Sequence, residues 1–347
     1  MTIPLPSPPR RILIIKPSSL GDVVHSLPVL FLLRRQFPNA HIAWLVAPYC
    51  AGLLRGLKEL DEVILFDRRF LGSAWYNPRA LLALCSFHRD LRRHKFDLVI
   101  DLQGLFRSGY FARVTGAGLR VGLANARESA PVFYTHRVVV ETPEIHAVDR
   151  YLKIAAALGC PGEPIEFHFP VTDADRDYIN TLIPSPRPYA VFLPGANWPT
   201  KRWPAERFAE LVSPLHRRFN LSAVVAGGDD AAGLAPLIPN TLDLTNRTTL
   251  PQLVALLERA ALVIANDSGP MHIAAALGRP LVAIFGPTNS ARTGPYALPH
   301  AVVNSVEHCA PCYRRRCSHH RCLRKLHIAA VLRSVQRQLP TQRPLPA

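Results

Sequence analysis

Short apolar runs recur along the chain, each closed by small polar residues, glycine or proline. Residues 11–16 (RILIIK), 97–102 (DLVIDL), 189–193 (YAVFL), 262–265 (LVIA) and 281–286 (LVAIFG) are near-continuous apolar stretches. A strand covered on one face alternates, whereas a continuous run is covered on both, as in a parallel sheet. Residues 41–47, 62–67, 120–123, 137–140, 222–226 and 242–244 predict further strands. Between them, residues 22–36, 79–94, 146–158, 204–219, 250–260 and 326–339 carry the three- and four-residue apolar spacing of helices. Pro28 falls inside the first of these and predicts a bend. Strands alternating with helices predict an α/β protein with a parallel sheet covered on both faces.

The alternation is interrupted once. Residues 171–188 begin Asp-rich and helical and end in PSPRP, a proline-dense stretch of linker or hinge character. The reading is therefore a domain over 1–170, a linker over 171–188, a second domain over 189–325, and a final helix and tail over 326–347. Residues 1–10 are proline-rich and read as loose. The halves repeat an architecture and not a sequence. Such folds bind ligands at the carboxyl ends of their strands, so two facing halves imply a cleft.

Composition narrows the class. The chain has 347 residues, 48% of them hydrophobic, which is ample for two cores. No apolar run approaches the roughly 18 to 20 residues of a membrane span, and MTIPLPSPPRR has no signal-peptide hydrophobic region. The expectation is a cytoplasmic protein, peripheral on the inner face of the cytoplasmic membrane. A net charge of +16 favours an anionic partner. The arginines form no long tract and no RNA-binding signature, so an anionic membrane surface and phosphorylated ligands rank above nucleic acid, which is not expected as a partner. Arg34, Arg35, Arg89, Arg92, Arg93 and Lys95 are candidates for a lipid-facing surface; a solvated helix face explains them equally well.

Four stretches carry chemistry. In LVIANDSGPMHIAAALGRPLVAIFG, Asp267, Ser268 and Gly269 close a strand and open a helix, with His272 in the first turn. The N–H groups and positive dipole end of such a helix suit a diphosphate; the bland alternative is a Ser or Asp cap. In PGANWPTKRWP, Asn197, Lys201 and Arg202 lie at a strand mouth, where cations neutralise a diphosphate leaving group or simply form a basic loop. In KPSSLGDVVH, Ser19 and Gly21 precede Asp22, a carboxylate able to take a proton from a hydroxyl or merely favoured at a helix start. Asp101, Gln103, Arg107 and Arg127 are polar groups at neighbouring strand ends; Arg107 and Arg127 suit acidic groups on a substrate, and helix capping and surface charge explain the set equally well.

The tail holds four of the seven cysteines as C-x2-C-x4-C-x4-C: Cys309, Cys312, Cys317 and Cys322, with His319 and His320 between the last two. The clustering suggests a structural zinc site, although the spacing is not that of a standard finger, and packed or reduced thiols fit as well. A cytoplasmic setting argues against a disulfide.

RILIIKPSSLGDVVHSLPVL, VIDLQGLFRS, EIHAVDRY, PGANWPTKRWP and NDSGPMHIAAALGRPLVAIFGPT occur in this order. Together they resemble the lipopolysaccharide heptosyltransferase family over residues 11–330. The resemblance implies a GT-B fold: two Rossmann-like, doubly wound domains facing a cleft, with the final helix crossing back onto the first. It implies an inverting transfer from ADP-L-glycero-D-manno-heptose to the Kdo-lipid A inner core, with no required cofactor. Asp22 then matches the general base, Lys201 the lysine on the donor phosphates, Asp267, Ser268 and Gly269 the donor-holding turn, and His272 the histidine of the next helix. Ala196 and Asn197 stand where some members have paired threonines. Ser19, Gly21, Gln103, Arg107 and Arg127 fall on the side of the anionic glycolipid acceptor. The alternatives are another nucleotide sugar for a different surface glycan, a nucleotide-sugar epimerase or hydrolase, and a non-catalytic basic anion-binding protein.

Overall fold

Each apolar run lies in one of two parallel sheets. The computed structural model describes residues 2–142, 144–184 and 187–339. Met1, part of the 184–188 proline stretch, and the tail with Pro340 and Pro344 lie outside the described residues. The chain divides into two units, Met1–Pro170 and Val171–Ala347.

The first unit contains β1 (Arg11–Ile15), β2 (His41–Val46), β3 (Glu62–Leu65), β4 (Leu98–Asp101), β5 (Leu119–Leu123) and β6 (His136–Val138). They form one parallel sheet in the order β3-β2-β1-β4-β5-β6. The second unit contains β7 (Tyr189–Leu193), β8 (Ser222–Val225), β9 (Leu242–Asp243), β10 (Leu262–Asn266), β11 (Leu281–Phe285) and β12 (Val302–Asn304). Their order, β12-β11-β10-β7-β8-β9, is the same doubly wound pattern, again parallel. In each sheet the winding reverses at the first strand, between β1 and β4 and between β7 and β10. Crevices for ligands open at the carboxyl ends of such pairs.

The apolar runs explain the layers. Leu13, Ile15, Phe66, Leu91, Val99 and Phe111 fill one side of the first sheet. Phe192, Trp203, Phe208, Ile264, Val331 and Val335 belong to the core of the second unit. Each large side chain taken fully out of water contributes about 1.5–3 kcal/mol.

Three details fill in the outline. The helix Leu20–Gln36 continues through Pro28, because a run of buried residues from Val23 to Leu33 clamps it on both sides of the missing N–H. Most of the expected linker is ordered: helix Asp173–Leu182 packs on helix Leu250–Glu258, with Arg176 bonded to Glu258 and the Tyr178 hydroxyl donating to the Arg247 carbonyl. The final helix, Ile328–Gln338, buries Val331 and Val335, and its described packing is against β11, β12 and helix Ala205–Phe219 of its own unit. Among the described residues no helix is long and apolar enough to cross a membrane.

Candidate functional site

In the first unit the reversal point is built from the ends of β1 and β4. Lys16 follows β1 and is buried. Its ammonium donates to the Tyr151 hydroxyl at 2.8 Å and the Leu102 carbonyl at 3.2 Å, and lies 3.8 Å from Asp22 Oδ1. Asp22 sits in the first turn of helix Leu20–Gln36. Its Oδ2 accepts from the Ser19 N–H at 3.0 Å and the Ser19 hydroxyl at 2.8 Å. The local capping role is therefore real, yet Oδ1 remains directed at Lys16 and the side chain is 36% exposed.

Burial pushes the Asp22 carboxyl upward, but the Lys16 cation, the Ser19 donors and His25 outweigh it and hold the group below its ordinary value. Burial pulls Lys16 downward, while Asp22 and Tyr151 more than restore it, so Lys16 stays cationic. The result is an ionised carboxylate with one side open.

Around it, Gly21 is buried and Ser19 exposed. Gln103 Oε1 accepts from the Ser18 N–H at 3.3 Å, joining the β4 turn to the β1 turn. Asp101 is the knot beneath: it accepts from the Tyr134 and Ser108 hydroxyls and from the Gln103 and Gly104 N–H groups, at 2.6–3.0 Å. Burial nonetheless raises its pKa. The Arg127 N–H donates to the Gly104 carbonyl, so the two turns carrying Gln103, Arg107 and Arg127 are one unit. Gly104 has a φ of +64°, and an added Cβ would lie 3.1 Å from the Ala126 Cβ, which explains glycine there. Arg107 is exposed; partial burial and the neighbouring Arg68 lower its pKa, against Glu128.

In the second unit the reversal point is built from β7 and β10. Asn266 ends β10, fully buried; its Oδ1 accepts from the Trp203 N–H at 3.0 Å and its Nδ2 donates to the Pro194 carbonyl at 2.7 Å. This bridge fixes the 194–203 loop over the strand ends. Lys201 thereby meets Asp267: the ammonium is 2.7 Å from Oδ2, and the Thr288 hydroxyl donates to the same oxygen at 2.5 Å. Lys201 and Arg315 both lie within 5 Å of the Trp198 ring centroid, at 4.7 and 4.8 Å. An ammonium has three N–H donors, so donors beyond the Asp267 contact remain for a phosphate.

Ser268 occupies the N-cap position of helix Gly269–Ala276, yet its side chain makes no cap bond. Its Oγ is buried without a hydrogen-bond partner. The bland capping explanation thus fails here, and a buried hydroxyl beside a helix N-terminus and a lysine is an anion subsite in waiting. His272 is buried in the same helix. Asn197 is exposed on the 194–203 loop.

Several participants escaped the sequence reading. Tyr151 was visible only as part of EIHAVDRY; the fold brings it to Lys16 across 135 positions. His146 of the same motif packs edge-on against His25, ring centroids 5.1 Å apart. Thr288 joins the Asp267–Lys201 pair, and Arg315 reaches the Trp198 ring from the tail loop.

The four tail cysteines share one neighbourhood: burial, together with the nearby Cys309, Cys312 and Cys317, raises the Cys322 pKa. All seven cysteines are free, and among the described residues no group of three or more His, Cys, Asp or Glu side chains is placed to hold a metal ion. A thiolate zinc site needs four sulfurs about 2.3 Å from one ion. Here Cys322 is buried against Gly286, where an added Cβ would lie 3.2 Å from its sulfur, while Cys309 is exposed. The loop also braces the 194–203 loop and the end of β11: the Pro287 carbonyl accepts from the Cys312 and Tyr313 N–H groups, the Thr200 hydroxyl donates to the Arg314 carbonyl, and the His320 ring bonds the Thr200 carbonyl.

Residues 84–323 match the family described as glycosyltransferase family 9 (heptosyltransferase). The chain is 32% identical over 321 residues to lipopolysaccharide heptosyltransferase 1 of Pseudomonas aeruginosa, covering 89% of this chain and 88% of that protein. Its structure is similar to that of the E. coli heptosyltransferase WaaC with ADP, at a TM-score of 0.77, 26% identity, and coverage of 95% of this chain and 100% of the other. It is also similar to WaaC with ADP-2-deoxy-2-fluoro heptose, at a TM-score of 0.75, 27% identity and the same coverage. Two doubly wound units with these relatives make a GT-B fold, and the chain belongs to the heptosyltransferases of glycosyltransferase family 9.

Proposed function

We propose that this glycosyltransferase moves heptose from ADP-L-glycero-D-manno-heptose to the Kdo-lipid A inner core of lipopolysaccharide, working at the inner face of the cytoplasmic membrane. The observation that carries this reading is the second unit's subsite: Lys201 held by buried Asp267, beside a helix N-terminus with an unpartnered Ser268 hydroxyl. That set suits the diphosphate of a nucleotide sugar. The relatives named lipopolysaccharide heptosyltransferase, and the similar structure holding an ADP-heptose analogue, favour heptose as the sugar.

The step is a single in-line displacement. Asp22 accepts the proton of the acceptor hydroxyl as that oxygen bonds the anomeric carbon. The bond from that carbon to the diphosphate oxygen breaks, and its electron pair leaves with ADP. Lys201 and the N–H groups at the start of helix Gly269–Ala276 meet the charge that develops on ADP. The anomeric configuration inverts. Asp267 acts through Lys201, fixing its ammonium. Arg107 and Arg127, with Ser19, Gly21 and Gln103 around Asp22, take the acceptor and its acidic groups. No step in this reading is assigned to a metal.

The test is mass analysis of Kdo-lipid A after incubation with ADP-heptose. A gain of one heptose with stoichiometric ADP supports the reading. ADP released equally without acceptor points to hydrolysis, and turnover with a different nucleotide sugar alone reassigns the donor.

A further inference from the structure

Apart from Arg68, which neighbours Arg107, an exposed apolar and basic face of the first unit takes no part in the site. Helix Arg68–Leu71, the turn after it and helix Pro78–Arg93 present Trp75, Tyr76 and Leu82 at 86%, 65% and 71% exposure, with Phe70 and Leu81 also exposed. The turn is built to hold them out. Asp67 accepts from the Arg69 and Phe70 N–H groups, the Ser73 hydroxyl bonds the Phe70 carbonyl at 2.7 Å, and the Asn77 N–H bonds the Ser73 carbonyl. The Trp75 and Tyr76 rings meet edge-on, centroids 4.6 Å apart.

On helix Pro78–Arg93, Leu84, Phe87 and Leu91 pack on the first unit's core, leaving Leu82, Cys85, Arg89 and Arg93 on the outer face. That face is apolar next to Trp75 and basic further along. Residues 66–95 hold seven arginines and lysines against two aspartates. Both aspartates are engaged, Asp67 as a cap and Asp90 with Ser86 and Arg93. The lipid-facing candidates Arg34 and Arg35 do not belong here: Arg34 binds Asp61 and three carbonyls, and Arg35 binds Glu166 and the Glu163 carbonyl.

We propose that this face docks on an anionic lipid bilayer, with Trp75 and Tyr76 at the headgroup boundary and Arg69, Arg79, Arg89 and Arg93 against lipid phosphates. Amphipathic aromatic rings favour that boundary, and each arginine near an anionic surface adds attraction. A second copy of the chain would bring like charge against like, which disfavours self-association through this face. The inference deepens the glycolipid-acceptor reading by naming the surface that meets the membrane, and its test requires no turnover.

Sedimentation with phosphatidylcholine vesicles, with and without phosphatidylglycerol, reads the charge dependence. Brominated acyl chains read which tryptophan enters: Trp44 and Trp203 are buried, Trp198 is half-buried, and Trp75 is exposed. The expected result is phosphatidylglycerol-dependent binding with quenching that disappears in Trp75→Phe. The Trp75→Ala/Tyr76→Ala variant weakens binding by about tenfold or more. Arg69→Glu, Arg79→Glu and Arg89→Glu each weaken it by about fivefold or more. These positions are exposed, and an unchanged melting curve shows that folding is intact. Binding without quenching, binding indifferent to phosphatidylglycerol, or loss of self-association in place of vesicle binding overturns the proposal. Transfer to a soluble, acyl-free acceptor stays unchanged in Trp75→Ala/Tyr76→Ala, so failure here and failure of the transferase reading are separate results.

Discussion

At the scale of single residues, Asp22 is a carboxylate whose partners keep it ionised. A base held below its ordinary pKa is a weaker acceptor but is fully available at neutral pH. Transfer should therefore hold level through the neutral range and fall only as pH drops through the depressed Asp22 value. Lys16→Met removes the cation next to it, so the Asp22 pKa rises and the acidic limb of kcat/KM moves to higher pH. A pH profile of both proteins checks the direction; an unmoved limb assigns the limb to another group. The linkage has the same sign for stability: the contribution of Asp22 is present above its unfolded pKa and is lost as pH falls through the folded one. On the donor side, Lys201→Ala should weaken ADP binding by about 1.5–3 kcal/mol, the range for hydrogen bonds to charged groups. Calorimetric titration with ADP reads it, and an unchanged Kd removes Lys201 from the phosphate site.

At the scale of elements, the account rests on how strand ends are tied. Asn266 bridges β10 to the 194–203 loop with one acceptor and one donor, both buried. Asn266→Ala leaves the Trp203 N–H and the Pro194 carbonyl unpaired and should cost about 2–3 kcal/mol in urea unfolding. Asn266→Asp should cost at least as much, because it loses the donor and buries a charge. Gly286 is required by packing: an added Cβ would lie 2.8 Å from Leu323 Cγ. Gly286→Ala should destabilise by about 1–3 kcal/mol, and Leu323→Ala in the same chain should recover part of the loss; additive losses would contradict the contact.

These ties mark the boundary of what the sequence discloses. Apolar runs with glycine or proline stops are local signals, so strands, crossovers and the turns at 16–22 and 266–269 were legible. So was Asp22, because its first-turn position is a local fact. The pairing of Lys16 with Tyr151, of Thr288 with Asp267, and of Arg315 with Trp198 depends on strand order, which no local spacing encodes. The tail cysteines stay neighbours in the fold as they are in sequence, while the burial of Cys322 beside Gly286 was not a local signal.

At the scale of the molecule, one doubly wound pattern occurs twice with different groups at its reversal point. The first unit's reversal point holds a cation-supported carboxylate, and the second unit's holds a lysine and a helix N-terminus. The charge of +16 is consistent with the substrates of the proposed reaction, both of which are anionic. Its long-range part is screened by salt, so KM for the lipid acceptor should rise with ionic strength more steeply than KM for the donor, whose contacts are partly buried. Steady-state kinetics across a salt series checks the order of the two slopes.

The most direct measurement is ADP formation from ADP-heptose with and without Kdo-lipid A, run on the wild type and on Asp22→Asn, with the acceptor then weighed. The account predicts acceptor-dependent ADP, a gain of one heptose, and a rate about 10²- to 10⁴-fold lower in the folded Asp22→Asn protein. Near-normal transfer by Asp22→Asn, or ADP formation indifferent to the acceptor, would contradict it.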